Sequence, residues 1–212
     1  MIHNKKELQF YIMADNMMNR GQFNPSLKQR LKNIIFPDYI MQYLESMRKV
    51  SFYSHIAKPL TIKTFWGGVL YVFNKMKFYR LGIKLGFSIG SDVFDYGLVI
   101  PHYGTIVVGP SNRIGKYAVL HTSICITDSH KNIGDGLYCS SGSKLVFNGT
   151  LGSNITIGAN CVVTKEVNLN NKLLVSTPAI IKSDHLSWYS YDSNYCKRVA
   201  LVEQLRNTMN IN

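Results

Sequence analysis

The sequence predicts a mainly-β chain, a parallel β-helix of six-residue repeats, behind a small α-helical N-terminal domain. Three features carry this reading. Apolar residues recur at every sixth position through the second half, glycine follows many of them, and the first part lacks strand-like alternation. With 212 residues and 46% hydrophobic content, the chain can bury one domain of ordinary size together with a smaller one.

The helical domain is assigned to residues 1–82. Within it, "LKQRLKNIIFPDYIMQYLESMRKV" has helical apolar spacing. Pro25, Pro37 and Pro59 divide the region into short pieces, because proline donates no backbone hydrogen bond. The aromatic-rich "TFWGGVLYVFNKMKFYRLGIKLGF" predicts a further helix packing onto the repeats of the second half. Its basic and aromatic make-up also suits peripheral contact with a membrane, although a helix buried against its neighbours is the commoner arrangement.

Charge is unevenly placed. The net charge is +12, and residues 1–85 hold 14 Lys and Arg against 4 Asp and Glu, leaving 10 against 8 for the rest. A basic face of this kind suits nucleic acid, an anionic membrane or phosphorylated ligands. Without an extended basic run, a solvated helical surface is the simpler reading, and no nucleic-acid partner is expected. The N-terminus "MIHNKKELQF" has no secretory h-region, and the longest apolar run, "FWGGVLYVF", has nine residues. A bilayer span needs about 20, so a cytoplasmic location is expected. Cys125, Cys139, Cys161 and Cys196 form no CxxC pair and show no zinc-like spacing to histidines, so they are read as reduced packing residues and no metal is expected.

The coil is assigned to residues 83–183, with a partly helical tail over 184–212. Stepping by six from His102 gives Val108, Ile114, Leu120 and Ile126. After one seven-residue step the series resumes with Ile133, Cys139, Leu145, Leu151, Ile157 and Val163, so ten of the eleven are apolar and His102 is the exception. A period of six fits neither a helix nor simple strand alternation. It fits a chain that winds round an axis with one short strand and one corner per unit, apolar side chains stacking inside.

The units "IGKYAV", "IGDGLY" and "IGANCV" resemble those of the left-handed β-helix acyltransferases. From Phe87 to Lys182, the succession "IPHYGTIVVG", "IGDGL", "IGANCVVTKEV" and "LLVSTPAIIK" is similar to that of serine O-acetyltransferases and their relatives in surface-polysaccharide gene clusters. The resemblance implies a left-handed coil, acetyl-CoA as co-substrate and His102 as catalytic base. It aligns His130 with a substrate-side histidine, in a loop shared with Asp128. It further implies an acetyl-CoA groove between neighbouring subunits, lined by Gly142, Ser143, Gly158, Ala159, Thr164, Lys165, Ser176, Thr177 and Lys182. A homotrimer follows, which the helical domain can pair into a hexamer.

Two departures bear on the acceptor. The carboxylates that the serine enzymes carry before and upstream of the catalytic histidine are replaced by Pro101 and Phe87. Asp92 and Asp95 are the nearest acidic candidates to orient His102 or contact the acceptor, and a backbone carbonyl is an alternative. The glycine-rich loop of the serine enzymes is reduced to "ITDSHKNIG". Together these favour a sugar or surface-polysaccharide precursor as acceptor, with serine as the runner-up.

Acetyl transfer needs a base for the hydroxyl, donors for the oxyanion and an acid for the leaving thiolate. Imidazole, with a pKa of about 6.5, serves as base and then as acid. Backbone N–H groups at a corner, with Tyr103 or Gly104, would hold the oxyanion. Direct transfer requires neither an acyl-enzyme nor a metal. Two other readings remain: a β-helix carbonic anhydrase using His102, His121 and His130, whose spacing does not resemble that family, and a non-catalytic scaffold. His121 falls on a turn and is expected to be exposed.

Overall fold

A computed structural model describes residues 2–56 and 62–211; Pro59 lies outside the described residues. Four helices come first, α1 (Lys5–Arg20), α2 (Leu27–Ile35), α3 (Tyr39–Ile56) and α4 (Ile62–Leu85). Asn4 caps α1 by accepting the Glu7 N–H, and Ser26 caps α2 in a reciprocal box with Gln29. Pro25 precedes the α2 cap and Pro37 separates α2 from α3, where each backbone lacks a donor to continue a helix.

The coil follows in five turns with three faces. The first face is β1 (Phe87–Ile89), β2 (Ile106–Val108), β5 (Ile124–Ile126), β8 (Lys144–Leu145) and β11 (Val162–Val163), all parallel. The second is β3 (Arg113–Ile114), β6 (Asn132–Ile133) and β9 (Thr150–Leu151), extended by single bridges at Phe94 and Val167. The third is β4 (Val119–Leu120), β7 (Tyr138–Cys139), β10 (Ile155–Ile157) and β12 (Lys172–Val175), closed by the antiparallel β13 (Ile180–Asp184). Short strands suffice because each backbone group bonds to the turn above or below.

The six-residue period corresponds to the buried column. All ten apolar members, from Val108 to Val163, point inward and are buried. The seven-residue step also appears in the register: Val108 pairs with Ile126, and past the extra residue Ile114 pairs with Ile133. His102 does not belong to the column. Val99 pairs with Val119 and Ile106 with Ile124, so the chain takes two more residues to round this corner than in the next turn. Ile100, fully buried, fills the slot above Leu120, and His102 is carried outward into the longer corner.

The helical domain closes the first turn of the coil with polar side chains. Arg48 of α3 and Asp15 of α1 form a buried two-pronged ion pair, with Nε and Nη2 donating to Oδ2 and Oδ1 at 2.8 and 3.1 Å. Arg48 also donates to the carbonyls of Phe94 and Asp95, while Asp15 Oδ1 accepts from the N–H groups of Gly97 and Leu98. This first turn has no coil above it on that side, so its backbone groups take side-chain partners instead. At the C-terminal end, η1 (Trp188–Tyr191) and α5 (Ser193–Thr208) pack over the third face and α1, through a cluster holding Phe10, Tyr96, Tyr117, Val119 and Val202. Glu203 of α5 accepts from Tyr96 Oη, Tyr117 Oη and Lys116 Nζ.

Candidate active site

The edge between the third and first faces carries most of the expected site. His102 and Tyr103 stand at its first turn, both exposed. Their loop is pinned on both sides. Before it, Asn19 of α1 donates to the Leu98 carbonyl (2.7 Å) and accepts the Ile100 N–H (3.1 Å). After it, Gly104 N–H donates to Leu85 and Ile106 N–H to Gly86. Sequence reasoning missed Asn19, which lies far upstream in a helix with no motif around it.

Down the same edge the corners repeat a left-handed residue: Ser123 (φ 61°), Gly142 (φ 77°), Asn160 (φ 56°) and Ser176 (φ 79°). At 142 glycine adopts this conformation without strain and leaves room for the Asn160 side-chain oxygen below, which a Cβ would displace. Thr177 Oγ1 donates to the Asn160 carbonyl at 2.9 Å. His102, Gly142, Gly158, Ala159, Ser176 and Thr177 thus share one edge. Ser143 is there too, but its side chain is buried beside Cys139, so a ligand would meet only its backbone. Lys182 lies exposed on β13.

His121, one turn below His102, is half-buried rather than exposed. Its Nε2 lies 2.8 Å from Tyr138 Oη and its ring 5.2 Å from the tyrosine ring, which covers it from the next turn. Burial and the neighbouring His102 hold its imidazole below the ordinary value.

The other candidates lie elsewhere. Asp92, between the first and second faces, accepts from Ser51 Oγ at 2.5 Å. Asp95, between the second and third, accepts from Tyr11 Oη at 2.6 Å. Both carboxylates are bonded to the helical domain on edges away from the His102 of the same copy, so within one copy neither reaches the imidazole.

His130 and Asp128 occupy the edge between the first and second faces, at the third turn. Asp128 accepts from the Ser111 hydroxyl and from the Ser111 N–H at 2.8 Å; these donors hold its carboxyl below the usual range. His130 is exposed, with φ 53°, and its N–H donates to Ser111 Oγ. The inserted residue is accommodated by Lys131, whose buried Nζ folds back onto Thr127 O and Oγ1 and Ser129 Oγ. The extra residue in "ITDSHKNIG" was the sequence signal for this irregularity. Thr164 and Lys165 follow β11 onto this second edge, apart from the other expected acetyl-CoA residues.

All four cysteines are free. Among the described residues, no group of three His, Cys, Asp or Glu converges to hold a metal ion. His102 and His121 share an edge that His130 does not.

No family model matches the chain. A serine acetyltransferase from Staphylococcus xylosus is 28% identical over 114 residues, which are 50% of this chain and 50% of that protein. The chain thus spans half the length of the curated relative it matches. Among solved structures, the serine acetyltransferase of Neisseria gonorrhoeae superposes with a TM-score of 0.60 at 19% identity, covering 89% of this chain and 71% of that one. The Brucella abortus strain S19 enzyme gives 0.53 at 16% identity, covering 84% and 68%. The Neisseria enzyme has also been solved in complex with serine, with a TM-score of 0.55 at 18% identity over 83% of this chain and 69% of that one. In sequence and in fold the chain resembles the serine acetyltransferases, sharing with them the parallel β-helix behind a helical N-terminal region.

Proposed function

We propose that the protein is an acetyl-CoA-dependent O-acetyltransferase of the serine acetyltransferase type, with His102 as general base. The observation that carries this is the placement of His102. It stands exposed in a corner loop anchored by Asn19 and Gly86, on the edge that also gathers Gly142, Gly158, Ala159, Ser176 and Thr177. Acetyl-CoA laid along this edge would bring its thioester towards the imidazole. His102 takes the proton of the acceptor hydroxyl as that oxygen attacks the thioester carbonyl. The tetrahedral oxyanion collapses to the acetyl ester, and the imidazolium returns its proton to the departing CoA thiolate. Atoms balance without a covalent enzyme intermediate.

Serine is the acceptor that the relatives favour. Its ammonium group calls for a carboxylate, and the His102 edge supplies none in its first turn. Asp128, kept ionised by Ser111, meets that need if the neighbouring copy presents its Asp128–His130 edge to His102. The sugar reading keeps one specific support: Pro101 and Phe87 stand where the serine enzymes carry carboxylates.

Release of CoA thiol from acetyl-CoA, with L-serine and a panel of nucleotide sugars and oligosaccharides offered in parallel, tests both. Loss of a general base lowers turnover by roughly 10²–10⁴-fold, and His102→Ala is expected to fall in that range. Unchanged turnover in that variant removes the proposed base. Activity with serine alone ends the sugar reading.

A further inference from the structure

Two helices of the N-terminal domain keep apolar faces that nothing in the fold covers. In α4, Phe65, Val69, Val72, Met76, Tyr79 and Ile83 are exposed by 44–69%. At about 100° per residue they fall within an arc of about 80° along the whole helix. Trp66 and Phe73, exposed by 69% and 65%, widen the stripe on one side. The opposite face, with Asn74, Leu81 and Leu85, is the one packed on α3 and the first turn of the coil. α2 repeats the pattern on a smaller scale: it buries no residue, and Leu27, Leu31, Ile34, Ile35 and the following Phe36 are exposed by 66–78%.

Charge distinguishes among possible coverings. The sequence of α4 holds Lys63, Lys75, Lys77, Arg80 and Lys84, that of α2 holds Lys28, Arg30 and Lys32, and neither helix contains an Asp or Glu. Among the described residues, none of Lys28, Arg30, Lys32, Lys75, Lys77, Arg80 and Lys84 is paired with a carboxylate. On the helical wheel, Lys75 borders the α4 stripe on one side, while on the other Arg80 lies between the stripe and Phe73, with Lys84 and Lys77 beyond towards the packed face. Two copies of α4 packed face to face would bring Lys75 and Arg80 of both copies to the seam with no counter-charge from either helix. A surface of anionic lipid headgroups above an apolar acyl layer answers both properties at once: aromatic and aliphatic side chains enter the boundary while flanking lysine and arginine extend to the phosphates. No helix among the described residues is long and apolar enough to cross a bilayer, so the contact lies in the plane of the interface.

We propose that α2 and α4 form a membrane-surface patch that holds the protein on anionic lipid bilayers. This reading is independent of the acetyl acceptor.

The test uses the full chain with phosphatidylcholine vesicles, with and without phosphatidylglycerol. In Trp188→Phe, Trp66 is the sole tryptophan. Its emission is expected to shift blue and to be quenched by brominated acyl chains in anionic vesicles only, with binding weakened at high salt. K75E/R80E and V72E/M76E, both on exposed side chains, are each expected to weaken partition tenfold or more while circular dichroism stays unchanged. Absence of vesicle binding, equal binding to neutral vesicles, or full binding by V72E/M76E each overturns the proposal. So does a wild type that ignores vesicles and an oligomer that V72E/M76E breaks apart by light scattering, since the face then belongs to a second copy.

Discussion

His102 and His121 occupy successive corners of one edge, yet differ in what surrounds them. His102 is open to solvent, whereas His121 is half-buried under Tyr138 and held below the ordinary imidazole value by burial and by the neighbouring ring. At neutral pH, then, His121 is uncharged. With its folded pKa depressed, the unfolded chain takes the proton first as pH falls. Stability is therefore unaffected above the ordinary histidine range, and declines as pH drops from that range towards the folded value. Histidine NMR is expected to show His121 titrating below about 6.5, and to show its value rising in His102→Ala, where one repelling charge is gone. An unchanged His121 titration in that variant would separate the two rings. The role proposed for His102 comes from its motif, but its place in the fold does not follow from it. Counting by six cannot detect a corner two residues longer, and the true occupant of the slot, Ile100, differs from its neighbours Val99 and Leu98 in nothing a composition can reveal.

At the scale of elements, the coil and the helical domain were unequally readable. The β-strands follow from a local rule, in which each unit repeats the previous one and the interior column can be counted from the sequence. The docking of α1 and α3 follows no period. Asp15 and Arg48 are single polar residues in apolar-spaced helices, and only the fold brings them together at the open end of the first turn. Burial pushes the Asp15 carboxyl up, but two guanidinium and two backbone donors, from Gly97 and Leu98, favour its charged form. Removing one partner of such a pair leaves a buried charge uncompensated, at a cost of about 3–5 kcal/mol. Arg48→Ala is expected to lose stability on that order in urea unfolding, and to lose acetyl transfer with it, because the same turn leads into the His102 loop. A loss below about 1 kcal/mol, typical of exposed pairs, would mean that the junction does not hold the first turn. The exposed face of α4 shows the opposite failure of sequence reasoning. The aromatic run reads as a helix packed onto its neighbours, but α3 and β1 cover only one side of it.

For the whole molecule, the decisive fact is that the two histidines of the expected site stand on different edges of one coil. His102 lies between the third and first faces at the first turn, and His130 between the first and second at the third turn. The expected acetyl-CoA residues divide the same way, with Gly142, Gly158, Ala159, Ser176 and Thr177 on one edge and Thr164 and Lys165 on the other. A single copy cannot bring these sets together, because the rigid first face separates them. If the first edge of one copy met the second edge of another, each copy would give one half-site and receive one, and a head-to-tail contact of this kind on a three-sided coil would close as a ring of three. Light scattering is expected to give three times the mass of the chain. Mixing provides the sharper measurement. His102→Ala and His130→Ala are each expected to be poorly active alone. Unfolded together in equal amounts and refolded as random trimers, they should recover about a quarter of the wild-type rate if each site draws its two histidines from different copies. A site contained within one chain would recover nothing, because every copy in the mixture lacks one of its two imidazoles.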